Sequence, residues 1–147
     1  MKLTLKLALI FVTALAGTAH AQQSEQFGRF VVHYNAISTN LLTPQVAQQY
    51  GIRRSPSRAI VNVTVMDHAD GDPGVAVEAT VSGTARNLTG QIREIAFRQI
   101  REGDDAVYYI GELTVRNMET FDFAVDVLPE QGTAPMTVQF RQQFYTE

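Results

Sequence analysis

The chain has 147 residues, a formal charge of −3, and neither cysteine nor tryptophan. Both lysines lie among the first six residues, so the rest of the chain carries ten arginines against fifteen acids, a formal charge of −5. This balance argues against a nucleic-acid partner, because phosphates require clustered basic charge. The lack of cysteine excludes a disulfide-stabilised scaffold, so stability has to come from packing.

The first 21 residues have the three-part pattern of a secretory signal peptide. Lys2 and Lys6 form the positive start, an apolar stretch runs from Leu7 to Gly17, and Ala19-His20-Ala21 is a small-x-small cleavage site. The apolar stretch is much shorter than the roughly 20 residues that a membrane-spanning helix needs. The pattern predicts export to the bacterial periplasm of a protein that begins at Gln22 and has no stable membrane anchor.

Residues 22–147 are predicted to form one domain, and its first element is a strand. Residues 30–37 alternate loosely between apolar and polar side chains and are rich in β-forming residues. This pattern is typical of a β-strand. A chain of this length buries about two thirds of its unfolded surface, which is enough for a hydrophobic core without other support.

A single short helix is predicted after this strand. Thr43 is a suitable N-cap, Pro44 suits the first helical position, and Gly51 provides the stop. Val46 and Tyr50 stand four residues apart and therefore share a face of the helix. We expect this face to lie against the rest of the domain.

The remainder of the chain shows the two-residue alternation of strands separated by short turns. The predicted strands span residues 58–66, 75–85, 91–101, 107–115, 121–127 and 136–145. Asp70-Gly71 is a tight-turn signal, and Gly83 indicates a bulge or a close crossing. In the second of these strands, four residues are expected to face the core: Val75, Val77, Ala79 and Val81.

Seven strands joined by short turns predict an all-β fold, an antiparallel two-sheet sandwich of immunoglobulin-like type with one short helix. An open barrel is the alternative architecture. The immunoglobulin cysteine pair and core tryptophan are absent, so the likeness to immunoglobulin domains concerns architecture and implies no function.

Six short motifs spread over the domain also resemble one family. They are His33-Tyr34-Asn35-Ala36, Tyr50-Gly51-Ile52 with Arg54-Ser55, Asn87-Leu88-Thr89-Gly90-Gln91, Arg101-Glu102-Gly103, Tyr108-Tyr109-Ile110 and Phe144-Tyr145. Together they resemble an exported bacterial family known as domain of unknown function 4426. The resemblance implies export, bacterial origin and a β-sandwich. It implies no activity, cofactor or functional residue.

His33 is the one candidate for acid–base chemistry within a predicted strand. A single imidazole can act as a general base when a carboxylate orients it. The alternative is a half-buried strand histidine that bonds to its neighbours. No motif of a serine hydrolase, zinc protease or Ser-x-x-Lys enzyme occurs, so no catalytic residue is predicted.

Arg53, Arg54 and Arg58 form the densest positive patch of an otherwise acidic domain. They could clamp an anionic ligand through bidentate hydrogen bonds. The alternative is a solvated loop whose arginines pair with nearby acids. Tyr108 and Tyr109 point to opposite faces of their strand, so one is expected in the core and the other at the surface, where a tyrosine suits recognition.

The segment from Asp67 to Asp72 gathers acids and His68 around the predicted turn. Its spacing does not match a calcium loop, which needs alternating acids before the glycine and a later glutamate. We interpret it as a solvated hairpin tip. No metal site and no cofactor are predicted.

The sequence therefore favours a non-enzymatic periplasmic binding or protein-interaction module, whose partner is an envelope protein or a small anionic ligand. Residues 138–144 are a candidate edge strand, and such an edge could accept a partner strand. One alternative is an enzyme with an unrecognised site near His33 and the Arg53–Arg58 loop. Another is a structural envelope component without a ligand.

Overall fold

A computed structural model describes residues 23–147, so the predicted signal peptide and its cleavage site lie outside the described residues. This part contains ten strands, the short helix α1 (Pro44–Gln49) and a 3₁₀ turn at Thr39–Leu41. The strands are β1 (Gln23–Phe27), β2 (Phe30–Ser38), β3 (Arg58–Asp67), β4 (Val75–Ala76), β5 (Ala79–Asn87), β6 (Ile92–Ile95), β7 (Phe97–Glu102), β8 (Ala106–Thr114), β9 (Glu119–Pro129) and β10 (Met136–Phe144).

The strands form two antiparallel sheets that pack face to face. Sheet A has the order β1-β2-β3-β8-β7, and β4 also pairs with the end of β3. Sheet B has the order β10-β9-β5-β6. The predicted all-β two-sheet sandwich is confirmed.

The core lies between the sheets and is built by the alternation seen in the sequence. Phe121 and Phe123 on β9 are fully buried, as are the valines that follow them with the same parity. Phe123 stacks on Phe140 of β10 with ring centroids 4.8 Å apart, and Phe140 lies 4.9 Å from the ring of Tyr34 on β2. These contacts place β10 over β2, at one side of the sandwich.

The described residues contain three more strands than the seven predicted, and each additional strand has an identifiable reason. β1 has the sequence QSEQF, which carries no apolar alternation, yet it pairs along its length with β2. The predicted strands 75–85 and 91–101 each divide, because their first and second parts join different sheets. The inward position predicted for Val75 is wrong, since this residue lies in the two-residue strand β4 and is 62% exposed.

The exchange between β6 and β7 requires two glycines. The chain leaves sheet B at Ile95 and enters sheet A at Phe97, and these two residues lie opposite Gly83 and Gly111. A Cβ atom on Gly83 would lie 3.3 Å from the Phe97 ring, and one on Gly111 would collide with Cγ2 of Ile95. Of the two interpretations of Gly83, the close crossing is therefore confirmed.

Helix α1 packs on the outer face of sheet A, but the residue that it buries there is Ala47 and not the predicted Val46. Thr43 is the N-cap, and its Oγ1 accepts a hydrogen bond from the Val46 N–H at 3.3 Å. Ala47 is the most buried helical residue and packs in a small second cluster, with Tyr50 at its margin. The other buried members of this cluster are Ile52, Ile60 and Ile110.

Candidate functional site

The three arginines proposed as an anion clamp do not converge on one point. Arg54 donates from Nε to the carbonyl of Leu42 at 2.8 Å and from Nη2 to the carbonyl of Asn40 at 3.0 Å. Arg58 pairs with Glu112, with 3.4 Å between Nη2 and Oε1. Arg53 and Arg54 are both exposed, and Arg58 is half-buried. Arg54 thus holds the loop after β2 in place, which is a structural role for that guanidinium.

His33 lies half-buried on the outer face of sheet A. Its neighbours across the strands are Ser24 on β1 and Thr64 on β3. These are hydroxyl residues, so the carboxylate that would orient the imidazole as a general base is at neither adjacent position. The enzyme interpretation gains no geometric support from this arrangement.

Tyr108 and Tyr109 point to opposite faces, as the alternation predicted. Tyr109 is buried in the core, where its hydroxyl accepts from the Ala79 N–H at 2.7 Å and donates to Gln99 Oε1 at 3.3 Å. Tyr108 is half-buried on the outer face. Of the two, only Tyr108 is placed where a partner could reach it.

Tyr108 has another tyrosine near it, at the end of α1. The hydroxyl of Tyr50 donates to Oε1 of Glu102, which also accepts from Gln49 at 2.8 Å. Burial and then the hydrogen bond to Glu102 raise the pKa of Tyr50 to about 12. This pair fixes α1 to the end of β7.

The outer face of sheet B is an uncovered, polar surface. A concavity of about 590 Å³ lies there, and Arg86, Asp122, Gln139 and Arg141 are among its lining residues. Arg141 donates two hydrogen bonds to the carboxylate of Asp122, from Nε to Oδ1 at 2.6 Å and from Nη2 to Oδ2 at 2.9 Å. The Arg141 hydrogen bond holds the pKa of Asp122 below its usual value. An arginine engaged in this way has little capacity left for a ligand.

The edge of sheet B supplies a different kind of site. β10 pairs along all nine residues with β9, and in the described part of the chain it has no strand on its other side. Its inner side chains anchor it, because Phe144 packs edge-on against Phe121 and Phe123 at 6.2 and 6.3 Å. A firmly held strand therefore presents backbone N–H and C=O groups toward solvent.

An apolar groove runs beside the C-terminal part of this edge, and we call it the β10 groove. It has a volume of about 390 Å³ and lies between the end of β2 with the following turn and the end of β10. Its lining residues are Ala36, Ile37, Ser38, Asn40, Leu41, Gln142, Gln143, Phe144 and Tyr145. Leu41 is 71% exposed and Tyr145 is 61% exposed, so both side chains stand open at its rim.

Sequence reasoning identified the β10 edge as a candidate but missed the groove. Leu41 and Tyr145 each adjoin another apolar residue, Leu42 and Phe144, and are separated by more than a hundred positions. Nothing in the local pattern indicates that the two side chains line one groove. The fold brings them together because β10 lies over β2.

Two further observations concern membrane-spanning helices and metal-binding groups of side chains. No helix within residues 23–147 is long and apolar enough to cross a membrane. In the same residues, no three or more His, Cys, Asp or Glu side chains are grouped so that they could hold a metal ion.

Fold and edge together define a small antiparallel β-sandwich with an open strand and an adjoining apolar groove. The family model for domain of unknown function 4426 matches residues 24–147. The chain therefore belongs to this family, and the resemblance seen in its motifs is confirmed.

Solved structures agree with this assignment. The chain is similar to the crystal structure of a DUF4426 family protein from Pseudomonas aeruginosa PAO1, at 30% identity and a TM-score of 0.72. That match covers 86% of this chain and 96% of the other. A copper-bound variant of FetP from uropathogenic Escherichia coli strain F11 is similar in fold, at 10% identity, a TM-score of 0.59 and coverage of 86% and 92%. No curated protein matches the chain.

Proposed function

We propose that this protein is a periplasmic interaction module that binds an extended segment of an envelope protein by adding it as a strand beside β10. The observation that carries the proposal is the open edge of β10 next to the β10 groove. Export of the chain is part of the proposal and is supported by the pattern of its first 21 residues.

The backbone of β10 offers the general part of the recognition. An edge strand of nine residues leaves a row of N–H and C=O groups that an antiparallel or parallel peptide can satisfy. Because these groups belong to the backbone, they give affinity for any extended segment and little selectivity among sequences.

Selectivity would come from the β10 groove. Side chains of an extended peptide alternate between its two faces, so every second residue would point toward the sandwich. Near the end of β10 such a residue meets Leu41, Phe144 and Tyr145. We therefore expect the bound segment to carry an apolar residue at this position.

The other candidate functions have less support. A small anionic ligand would need free, convergent arginines, whereas Arg54 and Arg58 donate to groups of this chain and Arg141 is held by Asp122. An enzyme would need an oriented base, and His33 has hydroxyl residues as its cross-strand neighbours.

The test is site-specific photo-cross-linking in periplasmic extract. A photoreactive residue replaces Gln143 at the groove, and a matched control carries it at Gln99, which is exposed on the edge strand β7 at the opposite side of the other sheet. We expect the Gln143 probe to capture one segment of an envelope protein. A synthetic peptide of that segment should then slow amide exchange along β10.

Two leucine variants distinguish specific binding of the peptide at the β10 groove from nonspecific adhesion to exposed apolar residues. Leu41→Asp removes an apolar contact and should weaken peptide binding roughly thirtyfold, since burying a leucine contributes about 2 kcal/mol. Leu88→Asp changes an equally exposed leucine outside the groove and should leave peptide binding unchanged. Equal capture by the Gln143 and Gln99 probes, or no protection of β10 by the peptide, would refute the proposal.

A further inference from the structure

The strand registers give the sandwich two chemically different ends. At one end, β2 finishes at Ser38 opposite the start of β3, and β5 finishes at Asn87 opposite the start of β9. This end carries the segments 88–91 and 115–118, the C-terminal residues 145–147, and both ends of the segment 39–57, whose middle part with α1 lies on the outer face of sheet A. We call it the basic end. The other end carries the turns 28–29, 68–74 and 103–105 and the loop 130–135.

Charge is divided unequally between these ends. The three inter-strand segments of the basic end contain Arg53, Arg54 and Arg116 and no aspartate or glutamate. The turns and the loop of the other end contain five acids and one arginine. Glu147 adds one acid at the C-terminus of the basic end. The chain is acidic as a whole, yet this end presents positive charge.

Exposed apolar side chains are also concentrated at the basic end. Five of the seven large hydrophobic residues that are exposed in the described part of the chain lie there. They are Leu41, Leu88, Ile92, Met118 and Tyr145. Such residues are normally scattered, so their concentration at one end indicates an interaction surface.

Leu88 and Met118 stand at the tips of two separate turns. They are 68% and 63% exposed. A cleft of about 340 Å³ lies between the turns, and its polar lining residues include Asn87, Arg116 and Glu119.

The backbone at Met118 adds an independent observation. Its φ is +56°, and it is the one non-glycine residue with positive φ in residues 23–147. This left-handed conformation is uncommon for residues other than glycine, asparagine and aspartate. A large apolar residue held there in an exposed position is an outlier that calls for a functional reason.

We infer that the basic end docks on the surface of an anionic phospholipid membrane, with Leu88 and Met118 inserted among the acyl chains and Arg53 and Arg116 at the headgroups. Apolar residues beside arginines are the usual composition of a peripheral membrane surface. Arginine near an anionic leaflet is attracted by its surface potential. Docking of this kind is reversible and requires no spanning segment.

The test is co-sedimentation of purified protein, beginning at Gln22, with vesicles of phosphatidylglycerol and phosphatidylcholine or of phosphatidylcholine alone. We expect binding to the anionic vesicles, weaker binding as salt is raised, and little binding to the neutral vesicles. The double variant Leu88→Asp/Met118→Asp should bind at least about tenfold more weakly. Arg53→Ala/Arg116→Ala should lose about fivefold for each arginine.

Matched variants keep the test decisive. Val75→Asp changes an equally exposed apolar residue at the other end and should bind like the parent protein. Met118→Gly suits the positive φ and removes the side chain, so it tests insertion even if Met118→Asp disturbs the turn. No binding to anionic vesicles, or equal binding by Met118→Gly/Leu88→Asp and the parent, would overturn the inference. Strand capture at β10 is measured without vesicles, so its result does not depend on whether the protein binds membranes.

Discussion

Replacement of Gly111 by alanine should destabilise the sandwich at the point where the chain passes from sheet B to sheet A. Gly111 does not have a positive φ, so alanine is compatible with its backbone. In an open strand position this change would be favourable by about 0.5–1 kcal/mol, because alanine loses less entropy on folding. Here the new methyl group would collide with Cγ2 of Ile95 and lie 3.3 Å from the Phe97 ring.

The expected magnitude follows from these opposing effects. Inserting a methyl group into a packed core costs about 1–3 kcal/mol. The collision with Ile95 places the cost in the upper part of this range, about 2–3 kcal/mol. After an entropic gain of up to about 1 kcal/mol is subtracted, Gly111→Ala should lower the free energy of unfolding by about 1–2 kcal/mol. For a domain of this size the melting temperature should fall by roughly 3–8 °C.

Urea unfolding followed by circular dichroism measures this loss, and a double-mutant cycle identifies its cause. Ile95→Leu moves the side-chain branch away from the backbone and removes the colliding Cγ2 atom. In that background Gly111→Ala should cost at least about 1 kcal/mol less, since contacting residues couple by amounts of this order. A cost that is the same in both backgrounds, or a Gly111→Ala variant as stable as the parent, would refute the argument.

Two further predictions concern the loop and helix on the outer face of sheet A. Thr39 is fully buried, and its hydroxyl bonds the carbonyls of Arg53 and Ser55 and the Ser55 N–H. Thr39→Val should therefore lower the free energy of unfolding, measured in urea, by about 1–3 kcal/mol. The control Thr137→Val, at an exposed position, should change it by under about 0.5 kcal/mol. Similar losses in both variants would contradict this prediction. The pKa of Tyr50 is about 12 in the folded protein and 10.0 for the free phenol. The folded state therefore favours the protonated phenol, and this contribution to the free energy of unfolding is fully present below pH 10. This contribution is lost as pH rises from 10 toward 12. The free energy of unfolding of Tyr50→Phe should therefore fall less steeply over that range than that of the parent protein. Parallel pH profiles of the two proteins would contradict this prediction.

Local alternation was sufficient to predict the core strands. In β9 and β10 the alternate residues that pack between the sheets are apolar, with the exceptions of Glu119 and Gln142. β1 escaped prediction because its residues are polar and it is held mainly by backbone pairing with β2. Polar residues are common on edge strands, where they discourage unwanted pairing.

Assignment of strands to sheets could not be predicted from local pattern. Residues 91–101 look like one strand, since the alternation continues through Ala96 while the partner changes from β5 to β8. Gly83 gave a partial signal as a possible crossing, but its counterpart Gly111 lies 28 positions away and only the fold shows them together.

The arginine loop shows a similar limit at the level of side chains. Charge density correctly marked a positive segment, but the partners of Arg54 are backbone carbonyls, which every residue possesses. Sequence composition therefore carries no signal that this guanidinium is used internally. The partner of Arg58 is equally hidden from the sequence, because Glu112 lies 54 positions away on β8.

The two proposed surfaces share the basic end, and their geometry makes them compatible. The β10 groove opens beside Leu41 and Tyr145, whereas Leu88 and Met118 project from turns that flank a separate cleft. A hydrogen bond from Gln143 to the carbonyl of Met118 joins the end of β10 to the second turn. A membrane bound at the turns would thus hold the open edge of β10 near the bilayer. We therefore expect capture by the Gln143 probe to persist in the presence of anionic vesicles.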